Sequence, residues 1–254
     1  MTRKAPDQGT RSTGVIVAVI LCAGQGTRMR ADRNKVLLPL LGRPLIAHTL
    51  AAFEDASSVG EILLVAHPDE VAYFAREVIP VAGASKVSGV IAGGATRHQS
   101  EQCALDALRE RITTGEIALV MMHDGARPLV MPEEIDQLAE VAREGAGAIL
   151  VTPIMATETL LETRPDGAVA LVAAPEELAR AQTPQAFDAK LLLAAYDQAR
   201  VDGFKGTDTA SSLERLGHAI RAVYGSDENI KVTTPDDLLR AAAILLARSE
   251  RAGD

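Results

Sequence analysis

The run GVIVAVILCA at positions 14–23 carries no charge and no polar alternation. A strand with one wet face alternates apolar and polar residues. One that does not alternate must be covered on both faces, which occurs almost only in parallel sheets flanked by helices. The following sequence repeats this pattern. EILLVAH (61–67), VSGVIAG (87–93), IALVMMHD (117–124) and AGAILVT (146–152) read as further strands. RPLIAHTLAAFEDA (43–56), PDEVAYFAREVI (68–79), GGATRHQSEQCALDALRERI (93–112) and PEEIDQLAEVAREG (132–145) have helical spacing between them. The expected architecture is α/β, a mostly parallel sheet with helices on both faces.

From about 154 to 180 the pattern loosens into TLLETR and AVALVAA joined by the turn-forming PDG, expected as a protruding β-hairpin arm and an oligomer contact. DAKLLLAAYDQARVDG (188–203), TDTASSLERLG (207–217) and PDDLLRAAAILLARSE (235–250) are expected helices, with IRAVYG (220–225) and NIKVT (229–233) as strands. Residues 14–250 are expected to form one domain. Residues 1–13, MTRKAPDQGTRST, are polar and are expected to be a flexible tail without the apolar core of a signal peptide.

Lys and Arg number 26 against 34 Asp and Glu, a net charge of −8, which argues against a nucleic-acid partner. No apolar run reaches the roughly 18 residues of a membrane span. Two cysteines, Cys22 and Cys103, are too few for a disulfide framework or a thiolate metal site, so a reducing, cytoplasmic setting is expected. The five histidines lack metal-ligand spacing.

Ligands of open parallel sheets bind beyond the carboxyl ends of the strands. After the first strand comes Ala23-Gly24-Gln25-Gly26-Thr27-Arg28-Met29, where small residues let backbone N–H groups approach phosphate oxygens. It matches neither a dinucleotide fingerprint, with Met29 where a third glycine belongs, nor a Walker A loop, and by itself it is equally a tight structural turn. Arg28, Arg30, Arg33 and Lys35 then place four cations in eight residues. They form either a solvated loop or a polyphosphate clamp, and the position after the first strand favours the clamp.

After the third strand, Gly93 and Gly94 with Arg97 and Ser100 could cradle a base or sugar, or could simply turn the chain. After the fourth, Asp124 stands at the ligand edge and is suited to Mg2+, unless it merely pairs with Arg127. Thr183 in QTPQ and Thr207 in TDTAS precede helical stretches, where threonines commonly cap. Lys231, among apolar neighbours, must reach solvent, a partner or an anionic ligand.

Taken in order, LCAGQGTRM, Lys35, GGATRHQS, HDGARP, QTPQAF, TDTAS and NIKVTTPDDL resemble one family over roughly residues 15–245. It is the cytidylyltransferases acting on 2-C-methyl-D-erythritol 4-phosphate, with the ribitol-5-phosphate cytidylyltransferases close by. The resemblance implies a Rossmann-like nucleotidyltransferase fold, a homodimer joined through the β-arm, and Mg2+-dependent transfer of CMP from CTP to a polyol phosphate with release of pyrophosphate. It assigns Ala23, Gly24 and Gly26 to the CTP phosphates, and Arg28 and Lys35 to transition-state charge. Gly93, Gly94 and Ser100 go to cytosine and ribose, and Asp124 to the metal. Arg127, Thr157, Thr183, Thr207 and Lys231 surround the acceptor, Lys231 among the catalytic group.

Three departures bear on the acceptor. Asn34 stands where the family has proline before the lysine, which is expected to change the backbone preference there. Pro175, followed by Glu176 and Glu177, stands where the arm has arginine. Ala156-Thr157-Glu158-Thr159 lacks the arm's lysine. Fewer cations and more carboxylates weaken a phosphate site. The same chemistry on another polyol or sugar phosphate, such as ribitol 5-phosphate, therefore stands as the alternative, with a non-catalytic nucleotide-binding protein behind it.

Overall fold

The computed structural model describes residues 14–24, 34–154, 161–163, 165–166, 168–171, 178–206 and 208–253. The N-terminal tail, Gly26, Arg28, Thr157, Thr207 and Pro175 with its two glutamates lie outside the described residues.

The expected run forms β1 (Val15–Leu21), and its side chains divide between two cores. Ile16, Ala18 and Ile20 face a layer containing α1 (Leu45–Asp55), α5 (Pro132–Ala142) and α8 (Pro235–Gly253). Val17 and Val19 face α4 (Arg97–Thr114), α6 (Ala189–Asp202) and α7 (Ala210–Glu214). Helices thus cover both faces, which is why β1 has no wet side.

With β4 (Glu61–Ala66), β5 (Val87–Ala92), β6 (Ile117–Asp124), β7 (Gly147–Pro153), β10 (Ala179–Asp188) and β11 (Arg221–Tyr224), the main sheet has seven strands in the order β11-β7-β10-β6-β1-β4-β5. All neighbours are parallel except β10, which runs antiparallel to both β6 and β7. The chain builds outward from β1 through β4 to β5, then returns to place β6 on the other side of β1. That reversal opens a crevice at the carboxyl edge between β1 and β6.

β10 was not expected. QTPQ reads as the approach to a helix, and a proline argues against a strand interior. The register shift between Ala181 and Gln185 takes Pro184 out of the ladder, and the Thr183–Pro184 peptide is cis. NIKVT is not a strand. It crosses the carboxyl edge irregularly, tied by the Val232 N–H to the Ala126 carbonyl at 2.8 Å.

The stretch expected as one helix over 68–79 is broken into a 3-10 turn (Pro68–Glu70), α2 (Val71–Tyr73), a π-turn (Phe74–Val78) and α3 (Ile79–Ala82). The widened turn sits directly ahead of Pro80, which has no N–H for a regular ladder. Arg43–Pro44 forms β3, paired with β2 (Pro39–Leu40), and Pro44 precedes α1 instead of opening it. The hairpin in the arm is present, with β8 (Leu161–Thr163) antiparallel to β9 (Val169–Leu171) as a separate two-stranded sheet. No helix among the described residues is long and apolar enough to cross a membrane.

Candidate active site

The carboxyl edge holds a cleft of about 730 Å³, within the usual size of small-molecule sites. Leu21–Gly24 after β1, His67 and Pro68 after β4, Gly93–Arg97 after β5, and Asp124 and Ala126 at the end of β6 line it. Lys35, Val36, Ser100 and Lys231 complete the wall. The cleft therefore gathers Ala23, Gly24, Lys35, Gly93, Gly94, Ser100, Asp124 and Lys231 from the residues singled out in the sequence.

The β5 loop is packed tightly against the β1 loop. A Cβ at Gly93 would stand 2.8 Å from both Ala23 Cβ and Ser100 Oγ, so no larger residue fits. Ser100 fastens this loop to α4. Its hydroxyl accepts from the Gly94 N–H at 3.2 Å and lies 3.0 Å from the Thr96 carbonyl oxygen. Thr96 caps α4 by accepting from the Gln99 N–H at 3.1 Å.

Asp124 is the hub. Arg97 Nε donates to its Oδ1 at 3.1 Å and Lys231 Nζ to its Oδ2 at 2.6 Å. Burial opposes ionisation here, but Arg97 and Lys231 outweigh it and hold the carboxyl well below the usual range. The side-chain pairing of Asp124 with Arg127 weighed from the sequence is not found. Arg127 instead donates from Nη1 to the Asn229 carbonyl at 2.7 Å, and burial pulls its guanidinium below its usual value. Its Nε is buried without a partner among the described residues.

Behind Asp124, its N–H donates to Thr183 Oγ1 at 3.0 Å, and Thr183 Oγ1 lies 3.2 Å from His123 Nδ1. His123 Nε2 lies 3.2 Å from the Arg127 carbonyl oxygen. For a neutral imidazole only one assignment satisfies all three contacts. Thr183 donates to Nδ1, and the neutral imidazole donates from Nε2. Burial pushes His123 down to about 3, in keeping with that neutral form. Thr183 and Arg127 are not among the cleft-lining residues: Thr183 braces the Asp124 backbone, and Arg127 is tied to the Asn229 carbonyl, two residues before Lys231. Asn229, fully buried, donates to Gln182 Oε1 and the Thr183 carbonyl, both at 3.0 Å, and so holds the segment carrying Lys231 against β10.

Asn34 stands in a proline-like conformation. Its φ of −54° and ψ of 126° are angles that a proline adopts, although asparagine does not impose them. Its buried side chain holds that conformation instead. Nδ2 donates to the Cys22 carbonyl at 2.6 Å and to Glu70 Oε2 at 2.7 Å, and Oδ1 accepts from the Val36 N–H at 3.3 Å. The 3-10 turn Lys35–Leu37 starts from this anchor, and Lys35 Nζ donates to the Val232 carbonyl at 3.0 Å.

Sequence reasoning placed Arg97 near a sugar or base and did not foresee its ion pair with Asp124. It passed over Glu101 altogether. Glu101 is 1% exposed and lies one helical turn beyond Arg97, whose Nη1 donates to its Oε1 at 2.7 Å. Tyr196 donates to its Oε2 at 2.7 Å, and Thr209 to its Oε1. Burial raises its pKa against the pull of these three partners. A carboxylate one turn after an arginine near the start of α4 was the available signal, but the spacing alone also reads as a surface i,i+4 pair.

Comparison with known proteins agrees with this geometry. The family model for IspD, 2-C-methyl-D-erythritol 4-phosphate cytidylyltransferase, matches residues 16–247. A protein of that name from Geotalea uraniireducens is 40% identical over 237 residues, 93% of this chain and 99% of its own. One from Halalkalibacterium halodurans is 40% identical, covering 92% and 98%. Among solved structures, 4-diphosphocytidyl-2C-methyl-D-erythritol synthase from Anaerococcus prevotii superposes with a TM-score of 0.78 at 28% identity, covering 92% of this chain and 96% of its own. The Thermus thermophilus 2-C-methyl-D-erythritol 4-phosphate cytidylyltransferase gives 0.70 at 30% identity, covering 89% and 97%. With the family model matched over residues 16–247, and the fold and nearly the whole length of these relatives in common, the chain belongs to the 2-C-methyl-D-erythritol 4-phosphate cytidylyltransferase family.

Proposed function

We propose that this protein transfers CMP from CTP to 2-C-methyl-D-erythritol 4-phosphate and releases pyrophosphate, a step of isoprenoid precursor synthesis. The observation that carries the reading is Asp124, kept ionised between Arg97 and Lys231 at the rim of a cleft whose far wall is the backbone of Ala23–Gly24 and Gly93–Thr96. Backbone N–H groups suit a base and a phosphate chain, and the cations suit the charge that develops when phosphoryl oxygens are displaced.

An oxygen of the acceptor phosphate attacks the α-phosphorus in line. The new P–O bond forms as the bond to the β-phosphate oxygen breaks, and pyrophosphate leaves. No side-chain nucleophile is required, so the protein's work is positioning and charge stabilisation. Lys35, with Arg28 from the β1 loop, takes the charge on the phosphates. Lys231 and Arg97 flank the acceptor phosphate. Arg127 and Thr183 support this side from behind, with Thr157 and Thr207 as further acceptor contacts.

The residues fit Mg2+ of a particular kind. Among the described residues no three His, Cys, Asp or Glu side chains converge into a cage. Mg2+ takes one or two carboxylates and fills its shell with phosphate oxygens and water. Asp124 is ionised, is the only carboxylate in the described cleft wall, and has one hydrogen bond on each oxygen, which leaves lone pairs for a metal. Such an ion would neutralise charge on the triphosphate and the departing pyrophosphate. The β8–β9 hairpin pairs with itself and not with the main sheet, which supports an arm that joins two copies of one nucleotidyltransferase domain. The reading is completed by a cytoplasmic setting.

Pyrophosphate release with CTP and Mg2+ tests it, across 2-C-methyl-D-erythritol 4-phosphate, ribitol 5-phosphate and a few sugar phosphates. Turnover of the methylerythritol substrate is expected. Turnover of ribitol 5-phosphate alone would refute the proposed acceptor.

A further inference from the structure

We infer that Glu101 is a positioning residue for the transfer site, holding the Arg97 guanidinium against Asp124 from behind the cleft wall. The inference rests on the proposed function only for what the positioned group does, because the clamp itself is geometric. Arg97 lies between two carboxylates, with Nε on Asp124 at 3.1 Å and Nη1 on Glu101 at 2.7 Å. A guanidinium is planar and rigid, so holding Nη1 restricts the directions open to Nε. Of these two carboxylates only Asp124 lines the cleft.

Glu101 is itself held from two further directions. Tyr196 Oη occupies the oxygen that Arg97 does not, and the Tyr196 ring stacks on His98 at 4.7 Å, 15° from parallel. Thr209, fully buried, accepts from Arg97 Nη1 at 3.2 Å and donates to Glu101, closing a ring of three groups. Every partner donates to Glu101, so it acts purely as an acceptor. A helix needs no buried carboxylate for stability. An exposed pair at the same spacing carries none of the desolvation penalty, and a buried pair is weak evidence for stability. What this arrangement supplies is direction. It ties α4, α6 and the start of α7 to one edge of Arg97, and Thr209 follows Thr207, an expected acceptor contact, by two residues.

The test uses the full-length protein. Glu101→Gln keeps the shape and removes the charge. Its kcat with CTP and 2-C-methyl-D-erythritol 4-phosphate is expected to fall about tenfold or more, while KM for CTP stays within about twofold. An active wild type with an equally active Glu101→Gln would overturn the inference. If Glu101→Gln does not fold, Tyr196→Phe decides. It keeps the stacked ring, and a smaller loss in kcat, measured well below its Tm, is expected, with no loss refuting the role. A second readout is independent of turnover. The Arg97 Nε–H resonance, identified by its disappearance in Arg97→Lys, is expected to exchange slowly in the wild type and rapidly in the Glu101→Gln or Tyr196→Phe protein. Unchanged protection would overturn the clamp. An inactive wild type with the expected exchange behaviour would instead sink the proposed reaction and leave the clamp standing.

Discussion

Removing the Asn34 side chain should slow turnover more than it weakens nucleotide binding, and the size of the effect follows from its three hydrogen bonds. Asn34 is 6% exposed, so water does not readily replace them. The bond to Glu70 is charge-assisted and worth about 1.5–3 kcal/mol, and the short bond to the Cys22 carbonyl about 1 kcal/mol. The 3.3 Å bond from Val36 is weaker. Asn34→Ala should therefore lose roughly 2–4 kcal/mol of stability, or about 5–15 °C in Tm for a chain of this length.

The functional loss comes from Lys35, the next residue. Its turn is anchored to the end of β1 only through Asn34 among the contacts described above, and a misplacement of about 1 Å in a catalytic group can cost about a hundredfold in rate. A fall in kcat of about tenfold or more is expected at a temperature well below the lowered Tm, with KM for CTP little changed. Asn34→Pro separates the two contributions. Proline adopts the observed φ of −54° without the side-chain bonds, so it should recover part of the lost kcat relative to alanine. Calorimetry and steady-state pyrophosphate release measure both variants. An Asn34→Ala protein with lowered Tm and wild-type kcat would refute the positioning argument, and one with neither change would refute the hydrogen-bond accounting as well.

Other outcomes follow from the same geometry. Lys35→Ala should lower kcat by about a hundredfold with a much smaller effect on CTP affinity, because its charge is needed most in the transition state. Normal turnover at saturating CTP would assign it to binding instead. Lys231→Ala should raise KM for the acceptor about tenfold or more and leave KM for CTP nearly unchanged. An unchanged acceptor dependence would remove Lys231 from that side. His123 makes stability fall on acidification. The folded imidazole is held to about 3 against the ordinary 6.5, so below 6.5 the unfolded chain binds a proton that the folded one refuses. Its contribution is complete above about 6.5 and declines by about 1.4 kcal/mol per pH unit toward the folded value. In urea unfolding between pH 6.5 and 5, His123→Gln should show a shallower pH slope than the wild type, and equal slopes would contradict a buried neutral imidazole.

The parts of the fold visible in the sequence are those whose physics is local. The β1 run, β6 and the capped helices α4 and α6 carry their signals within one stretch. For α6 these are Asp188, accepting from the Leu191 N–H at 2.9 Å, and Gly203 at a φ of +67°. β10 lay hidden because Pro184 contradicts a strand by local rules, and the bulge that accommodates it is a property of pairing with β7. NIKVT misled in the opposite sense. Its apolar residues are drawn to the sheet edge by side-chain and backbone bonds from Asn229 and Val232, without forming a ladder. Asn34 was legible as a departure from a family pattern. Its compensation was not, because Cys22 and Glu70 lie 12 and 36 positions away.

The charge of the cleft shows why long-range contacts settle the site. The chain carries a net −8, yet the described cleft wall presents Lys35, Arg97 and Lys231 against the single carboxylate of Asp124. An acidic body with a basic cleft directs anionic substrates to one place and repels them elsewhere. Three unopposed cations would instead bind CTP and pyrophosphate alike, and tight product binding would slow release without lowering the barrier. Asp124 engages two of the three at once, so an incoming phosphate gains their charge only by sharing it with a carboxylate already in place. Asp124 also fixes where those two charges point, because Arg97 and Lys231 each donate to a different one of its oxygens. Arg97 and Lys231 should therefore orient the acceptor phosphate more than they hold the nucleotide, and their replacement should show first in the dependence of rate on acceptor concentration.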